Sequence, residues 1–423
     1  MGIKRKRDAP WSELEIDTLE CILRRLSFLD ILRFKRVCSW WFSVAESYVS
    51  SSCYRLCFQT PWLLLPGPEE KEDDDDDDDD EGEGGLCFFN LDEKREYRDV
   101  CMCREVYEGC CVGSSHGWLV LLDKTANLSL FNPFSGARIQ VGSLREGLEF
   151  TDVDAYTVRE DPRAFVPKAV VMSDSKKNKD KDGVALIYGS RKKLAFCRYR
   201  DGRFMGLDGA HQPYHDIICY DNVVCALSDI GSVEVWDFSR SFPTKVMDIT
   251  PSFPLKTANF GRSFRDLYSS HFYLVESCGE LLFVVRFIGE FVDGDGKPVR
   301  EADLLDDEDI QPKICPYKTL LFHVYRLDRH QKKWEEMESL GDQVVFLGGN
   351  HSMSLRVGDC PGCVKDSIYF TDSYWERVDE DYSYGGHDMG YYNLRERIVK
   401  PFHDTQCCKM KPTPFWIIPN PGR

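Results

Sequence analysis

Three short stretches of this chain match, by letter, patterns that do chemistry elsewhere. Gly113-Ser-Ser115-His-Gly117 has the Gly-x-Ser-x-Gly spacing of a nucleophile elbow, in which a strained strand-to-helix turn lifts a serine hydroxyl toward oxyanion donors. The run that follows, Trp118 to Leu122, is short and apolar and continues as a strand, so the helix is missing and the glycines read as a tight turn. Cys360-Pro-Gly-Cys363 has the spacing of half a zinc site, with Cys407, Cys408 or His403 as the further ligands. The distance to those residues is unlike the compact fingers, and adjacent cysteines suit one tetrahedral ion poorly. A Pro-Gly turn flanked by buried thiols is the better reading, and no βαβ pattern supports a thioredoxin-like role. Asp293-Gly-Asp295-Gly-Lys297-Pro298 opens like a calcium loop, but lysine at position five, proline at six and Leu304 at twelve dismantle the ligand set. With no P-loop or dinucleotide fingerprint either, the expectation is a non-catalytic protein without metal or cofactor.

Composition narrows the partners. The formal net charge is −17, and residues 69–83 alone, with thirteen acidic side chains and one lysine, supply −12 of it. The remainder carries no basic footprint for nucleic acid. No apolar run approaches the roughly 18 residues that suggest a membrane span, and the N-terminus lacks the apolar stretch of a secretory signal. The 18 cysteines are therefore expected as thiols in the nucleus and/or cytoplasm, with Cys197, Cys219 and Cys225 acting as small buried hydrophobes. The sequons at Asn127 and Asn350 would then be silent. Lys4-Arg-Lys-Arg7, within a basic tail over residues 1–10, reads equally as an import signal or a plain terminal tail.

What positions partners must then be the folded elements. Within an N-terminal module over residues 11–50, residues 11–48 read as three short amphipathic helices. Leu19, Ile22, Leu23 and Leu26 form one stripe at helical period, Phe34, Val37 and Cys38 a second, and Trp41, Val44, Ala45 and Tyr48 a third. Asp30 is the expected N-cap of the second helix and Ser39 of the third. Helices this short are not stable alone, and a unit of about 40 residues is near the lower limit for an independent core. Its apolar surface should be buried against something else.

These residues carry a family resemblance. Trp11-Ser-Glu-Leu14, Ile22-Leu-Arg-Arg-Leu26, Asp30-Ile-Leu-Arg-Phe34 and Val37-Cys38-Ser-Trp-Trp41 resemble the F-box, with one departure: Glu15 stands where the family usually has proline. The resemblance implies that Leu14, Ile16, Leu19, Ile22, Leu26, Ile31, Phe34, Val37 and Trp41 face partly a Skp-type adaptor and partly their own small core.

The acidic stretch, residues 66–85, cannot form a core and reads as a disordered linker or loop. From residue 86 to 423, strand–turn–strand grammar takes over. Residues 118–122 alternate with 128–131, 184–188 with 194–199, 223–227 with 233–238, and 272–277 with 280–288. Strand-ending aromatics at Phe131, Tyr199, Trp236, Tyr325 and Tyr392 recur at gaps that suit one or two units of about 40–50 residues. The expected fold is α plus all-β: the three-helix module followed by a six- or seven-bladed β-propeller, with a pair of β-sandwiches as runner-up. Ser115-His-Gly-Trp-Leu119, Leu130-Phe-Asn-Pro133 and Phe415-Trp-Ile-Ile-Pro419 make this region similar to plant F-box proteins with a kelch-like propeller. That resemblance implies the substrate-recognition subunit of an SCF-type cullin–RING ubiquitin ligase, with adaptor and cullin at one end and an unknown protein target on the propeller. The alternative is a non-degradative binder whose propeller sequesters or inhibits a partner such as a kinase; Glu15 keeps it open. A copper-oxidase-like propeller enzyme is disfavoured by the lack of a His, Tyr and Cys ligand cluster.

Overall fold

The computed structural model describes residues 11–51, 60–66, 86–97, 109–172, 182–220, 223–240, 242–250, 267–293, 295–300, 317–373, 385–402, 410 and 414–420. The basic tail with Lys4 and Arg7, most of the acidic stretch, Leu304, His403, Cys407 and Cys408 lie outside the described residues.

A 3-10 turn at Trp11–Glu13 leads into α1 (Ile16–Leu23), α2 (Phe28–Lys35) and α3 (Ser39–Val49). The stripes predicted from periodicity meet in one small core of Leu19, Leu23, Ile31, Phe34, Val44, Ala45, Tyr48 and Val49. The expected caps are each displaced. Ser27, not Asp30, caps α2: its hydroxyl accepts from Asp30 N at 3.3 Å and donates to the Asp30 carboxylate at 2.9 Å. Asp30 thus sits in the first turn, where an acid favours the helix dipole. Cys38, not Ser39, caps α3, its Sγ accepting from Trp41 N at 3.5 Å. α1 ends at Leu23, so Leu26 packs on the core from the connecting turn.

The rest of the described chain forms six sheets arranged as propeller blades. Blade 1 holds β1 (Trp62–Pro66), β2 (Leu86–Asn90) and β3 (Arg95–Tyr97). Blade 2 is β4 (Cys110–Ser115), β5 (Trp118–Leu122), β6 (Asn127–Phe131) and β7 (Arg138–Ser143); blade 3 is β8 (Lys168–Met172), β9 (Gly183–Tyr188), β10 (Lys193–Arg198) and β11 (Met205–Leu207). Blade 4 is β12 (Tyr214–Tyr220), β13 (Val223–Ser228), β14 (Val233–Asp237) and β15 (Thr244–Ile249). Blade 5 is β16 (Tyr268–Ser277), β17 (Glu280–Gly289), β18 (Lys318–Asp328) and β19 (Lys333–Met337). Blade 6 is β20 (Gln343–Leu347), β21 (Ser352–Arg356), β22 (Ser367–Phe370), β23 (Gly390–Asn393) and β24 (Ile398–Pro401). The C-terminal β25 (Phe415–Ile417) returns to pair with β1, Trp62 opposite Ile417 and Leu64 opposite Phe415, and closes the ring. Closure removes a free sheet edge and replaces the two-sandwich alternative. All four hairpins read from the sequence are present, as β5–β6, β9–β10, β13–β14 and β16–β17.

Three features depart from the sequence reading. The first propeller strand begins at Trp62, not residue 86, so in chain order the acidic stretch falls between the paired strands β1 and β2 and not between the helices and the first propeller strand. Helices α4 (Asp152–Glu160) and α5 (Pro162–Phe165) interrupt the strands between blades 2 and 3, with a capping box at Thr151 and Asp154 that marks the start of α4. Blade 6 has five strands in the order β21-β20-β22-β23-β24, and its β20 and β22 run parallel.

The apolar core runs as slabs between neighbouring blades. Two buried ion pairs pin the slabs together. Lys168 of blade 3 pairs with Asp216 of blade 4, and Asp216 also accepts Leu274 N of blade 5 at 2.7 Å. Arg286 in β17 is fully buried and donates to Asp388 at 2.9 Å, Thr319 at 2.7 Å and the Thr371 carbonyl at 2.8 Å, tying blade 5 to blade 6.

Candidate partner-binding surfaces

Helix α2 serves two cores at once. Ile31 and Phe34 point into the three-helix core, while Phe28, Leu29 and Leu32 pack on the propeller with Trp62, Phe88, Leu119, Phe131 and Phe134. The Phe28 ring meets Trp62 edge-on at 5.3 Å and Phe134 edge-on at 4.9 Å. Burying one phenylalanine and two leucines contributes on the order of 5 kcal/mol. The apolar surface that the small module could not bury internally thus goes to the propeller. The docked side lies at the Trp62–Asn90 end of the β1–β2 ladder; the acidic stretch leaves from the Pro66–Leu86 pair at its other end.

The nine residues implied to contact an adaptor divide by exposure. Leu19, Ile31 and Phe34 are buried in the module's own core; Leu14, Ile22, Leu26 and Trp41 are half-buried at its edge; Ile16 and Val37 are exposed. Trp41 stacks on Phe34 at 4.3 Å. Two exposed aromatics outside those nine join them: Trp11, 74% exposed, and Trp40, 43% exposed. The backbone before α1 is held on α3 by Trp40 Nε1 donating to the Leu14 carbonyl at 2.9 Å and Trp41 Nε1 donating to the Trp11 carbonyl at 3.0 Å. These bonds gather Trp11, Ile16, Val37 and Trp40 where α1 and α3 begin. Trp40 stands beside a stripe residue on a short helix, so its exposure follows from the tertiary contacts of Trp41. Exposed apolar patches of this kind mark interaction sites. Glu15 adopts φ −64° and ψ 150° and makes no side-chain cap. That φ is the value a proline ring imposes, so the backbone at this position would accept a proline.

The patterns that suggested chemistry take other roles. Ser115 and His116 are within 2.8 Å, Oγ to Nδ1, but His116 and Gly117 both have positive φ and turn β4 directly into β5. This is a two-residue hairpin, with a strand where an elbow needs a helix. Cys360 and Cys363 are free thiols in the core between blades 6 and 1; a hydrogen bond to Cys360 and burial push the Cys363 thiol up. Asp293 Oδ1 accepts the backbone N–H of Asp295 at 3.0 Å and of Lys297 at 2.9 Å, so it caps a turn.

One ligand-like cluster went unnoticed in the sequence. His211, Glu234 and Asp248 converge between blade 4 strands and the loop before them. The buried Glu234 carboxylate accepts from Ala210 N at 2.7 Å, Tyr214 OH at 2.7 Å and Trp236 Nε1 at 3.2 Å. Lys245 Nζ then reaches Glu234 at 3.3 Å and Asp248 at 3.2 Å. An ammonium already occupies the place of a cation, so the donor set does not fit a metal ion.

Comparison with known proteins adds the family. A family model described as the KIB1-4 beta-propeller matches residues 88–393. The F-box protein SKIP23 of Arabidopsis thaliana is 26% identical over 424 residues, 92% of this chain and 90% of that protein. The F-box protein At2g05970 of Arabidopsis thaliana is 22% identical over 382 residues, 87% of this chain and 86% of that protein. Among solved structures, the N-terminal domain of Nup159 aligns over 71% of this chain and 62% of that one, at 10% identity and a TM-score of 0.29, too distant to carry an argument.

Proposed function

This chain belongs to the KIB1-4 β-propeller family and is a plant F-box protein, and from that premise we propose that it is the substrate-recognition subunit of an SCF-type ubiquitin ligase acting in the nucleus and/or cytoplasm. The observation that carries this reading is the division of the helical module into two apolar sides. Phe28, Leu29 and Leu32 are taken by the propeller, while Trp11, Ile16, Val37 and Trp40 remain exposed. A Skp-type adaptor would cover the free side and leave the propeller to hold a protein target. The contribution to ubiquitin transfer is proximity: a target held rigidly near a conjugating enzyme reacts at a raised effective concentration. Direct packing of α2 on blades 1 and 2 favours a fixed geometry over a tethered one.

The test uses the full chain. A fragment of residues 1–55 would bare the α2 face, and a fragment lacking them would bare Trp62 and Phe134. Ile16→Asp with Val37→Asp changes two exposed positions and should leave the melting temperature in place while abolishing co-purification of a Skp-type adaptor. Adaptor recovery equal to that of the unmodified chain would overturn the assignment. The non-degradative alternative separates in the same cells: if the double variant still binds its target and the target's half-life is unchanged, with proteasome inhibition without effect, sequestration is the function.

A further inference from the structure

In blade 5, β16 pairs on one side only, with β17, and its other edge faces the ring axis. It is ten residues long, against seven for β12 and five for β21, the strands that border it in blades 4 and 6. Three contacts fix the offset. His215 in β12 meets Phe272 ring to ring at 5.8 Å, Asp216 accepts from Leu274 N at 2.7 Å, and Ser354 in β21 lies 2.9 Å from Ser277, Oγ to Oγ. Tyr268 to His271 therefore run past the first residue of both neighbouring strands, about 13 Å of strand. Every residue from Tyr268 to Phe272 is half-exposed, whereas Tyr273, Leu274 and Val275 are buried.

The direction of the backbone groups follows from the same contacts. Leu274 N points away from β17, to Asp216, and the β16–β17 register runs without a bulge from Ser277 to Tyr268. Backbone groups two residues apart face the same way in an antiparallel strand, so the N–H and C=O of Phe272 and Ser270 also point away from β17. The alternate positions do the reverse, as where the Leu267 carbonyl accepts from Glu290 N at 3.0 Å. On the side away from β17, Ser270 and Phe272 make no hydrogen bond among the described residues. Unpaired donors and acceptors that repeat about every 7 Å along a line match one kind of occupant, a second extended backbone.

The side chains beside this edge set the charge. The turn bearing Lys192 sits at the start of β12, its carbonyl accepting from Tyr214 N at 3.1 Å. Burial, and then the charges of Arg286, His215 and Lys192, push the His271 imidazole down to about 3. Burial and Lys192 also lower the His215 imidazole, with Asp229 opposing. A carboxylate brought among these groups would relieve their repulsion. We propose that the Tyr268–Phe272 half of β16 binds an extended, acidic segment of a partner protein by strand addition. Both readings of the propeller's role, degradative and sequestering, have it hold a protein target, and this site rests on that alone, not on the adaptor.

Ser270→Pro tests the edge. Its N–H is outside the ladder, and proline is tolerated where a strand's N–H faces outward, so the variant should melt like the parent. Nine-residue peptides of random sequence, displayed on phage and selected on the full chain, should enrich for alternating β-branched or aromatic residues with acidic positions. A synthetic copy of an enriched peptide should bind the parent and Ser270→Ala with 1:1 saturation in calorimetry, and Ser270→Pro about tenfold more weakly or worse. Lys192→Glu should also weaken it. Two N-methylated copies, blocked on alternate residues along one edge or the other, should separate whatever the stability of Ser270→Pro: one binds like the unmodified peptide and the other does not. Ser270→Pro should recover adaptor as the parent does, and Ile16→Asp with Val37→Asp should leave peptide binding unchanged, so failure of this site and failure of the adaptor assignment are read separately. The proposal is overturned by selection without enrichment, by equal affinity for the parent and Ser270→Pro, by Lys192→Glu binding as the parent does, or by the two methylated peptides binding alike.

Discussion

Replacing Phe28 with alanine tests whether the helical module and the propeller are one body. Phe28 is 8% exposed and belongs to the apolar cluster that α2 shares with blades 1 and 2, outside the internal core of the three helices. Truncating a buried phenylalanine costs about 3–5 kcal/mol, including two edge-to-face contacts worth roughly 0.5–1.5 kcal/mol each. Because the lost contacts bridge the two units, the cost should fall on their docking. Amide hydrogen exchange reports this residue by residue. For α1 to α3, 3 kcal/mol corresponds to protection falling about a hundredfold or more, while β13, β14 and β17 on the far side of the ring should keep theirs. Phe28→Leu, which retains most of the apolar volume, should recover most of the protection. Unchanged exchange in the helices of Phe28→Ala would refute the docking argument. An equal loss across all six blades would refute it differently, by showing that the ring and the helices open together.

Two further outcomes follow from a buried ion pair and from a backbone angle that already suits proline. Lys168→Met should destabilise the propeller by about 3–5 kcal/mol at neutral pH, because it strands the buried Asp216 carboxylate without its cation. Burial raises the Asp216 pKa, and Lys168 opposes the rise. A raised folded-state pKa means that stability declines as pH climbs through it, so the deficit of Lys168→Met against the parent should shrink on acidification through the carboxylate range, as chemical denaturation at several pH values would report; a deficit independent of pH would count against this. Glu15→Pro should stabilise the chain by about 0.4–1 kcal/mol, since φ at that position already suits the ring and the unfolded chain loses freedom; destabilisation in the same assay would place a needed N–H at residue 15.

Local order was legible in the residues. Stripes at Leu19, Leu23, Phe34, Val44 and Ala45 mark helices because a 3.6-residue period is a local property, and alternation bounded by turns marks β5–β6 and β13–β14 for the same reason. The failures of the elbow and calcium patterns were equally local, since each needs specific neighbours within a few residues. Caps escaped by one to three positions: Ser27, Asp30, Cys38 and Ser39 can all accept a backbone N–H, and only the path of the chain selects among them.

Tertiary structure decided everything that depends on which surfaces meet. Phe28, Leu29 and Leu32 fall outside the stripe of Phe34, and nothing in their spacing names Trp62 or Phe134 as partners. The same limit divided the nine adaptor-facing candidates, since period identifies an apolar face without saying whether water, the module's own core or another unit covers it. Phe415-Trp-Ile417 closes the ring on a strand more than 300 residues earlier. β20 pairs in parallel with β22 although β21 lies between them in the chain. Hydrophobic burial is non-directional: a sequence sets how much apolar surface each element must hide and on which side, and only the assembled neighbours determine where it is hidden.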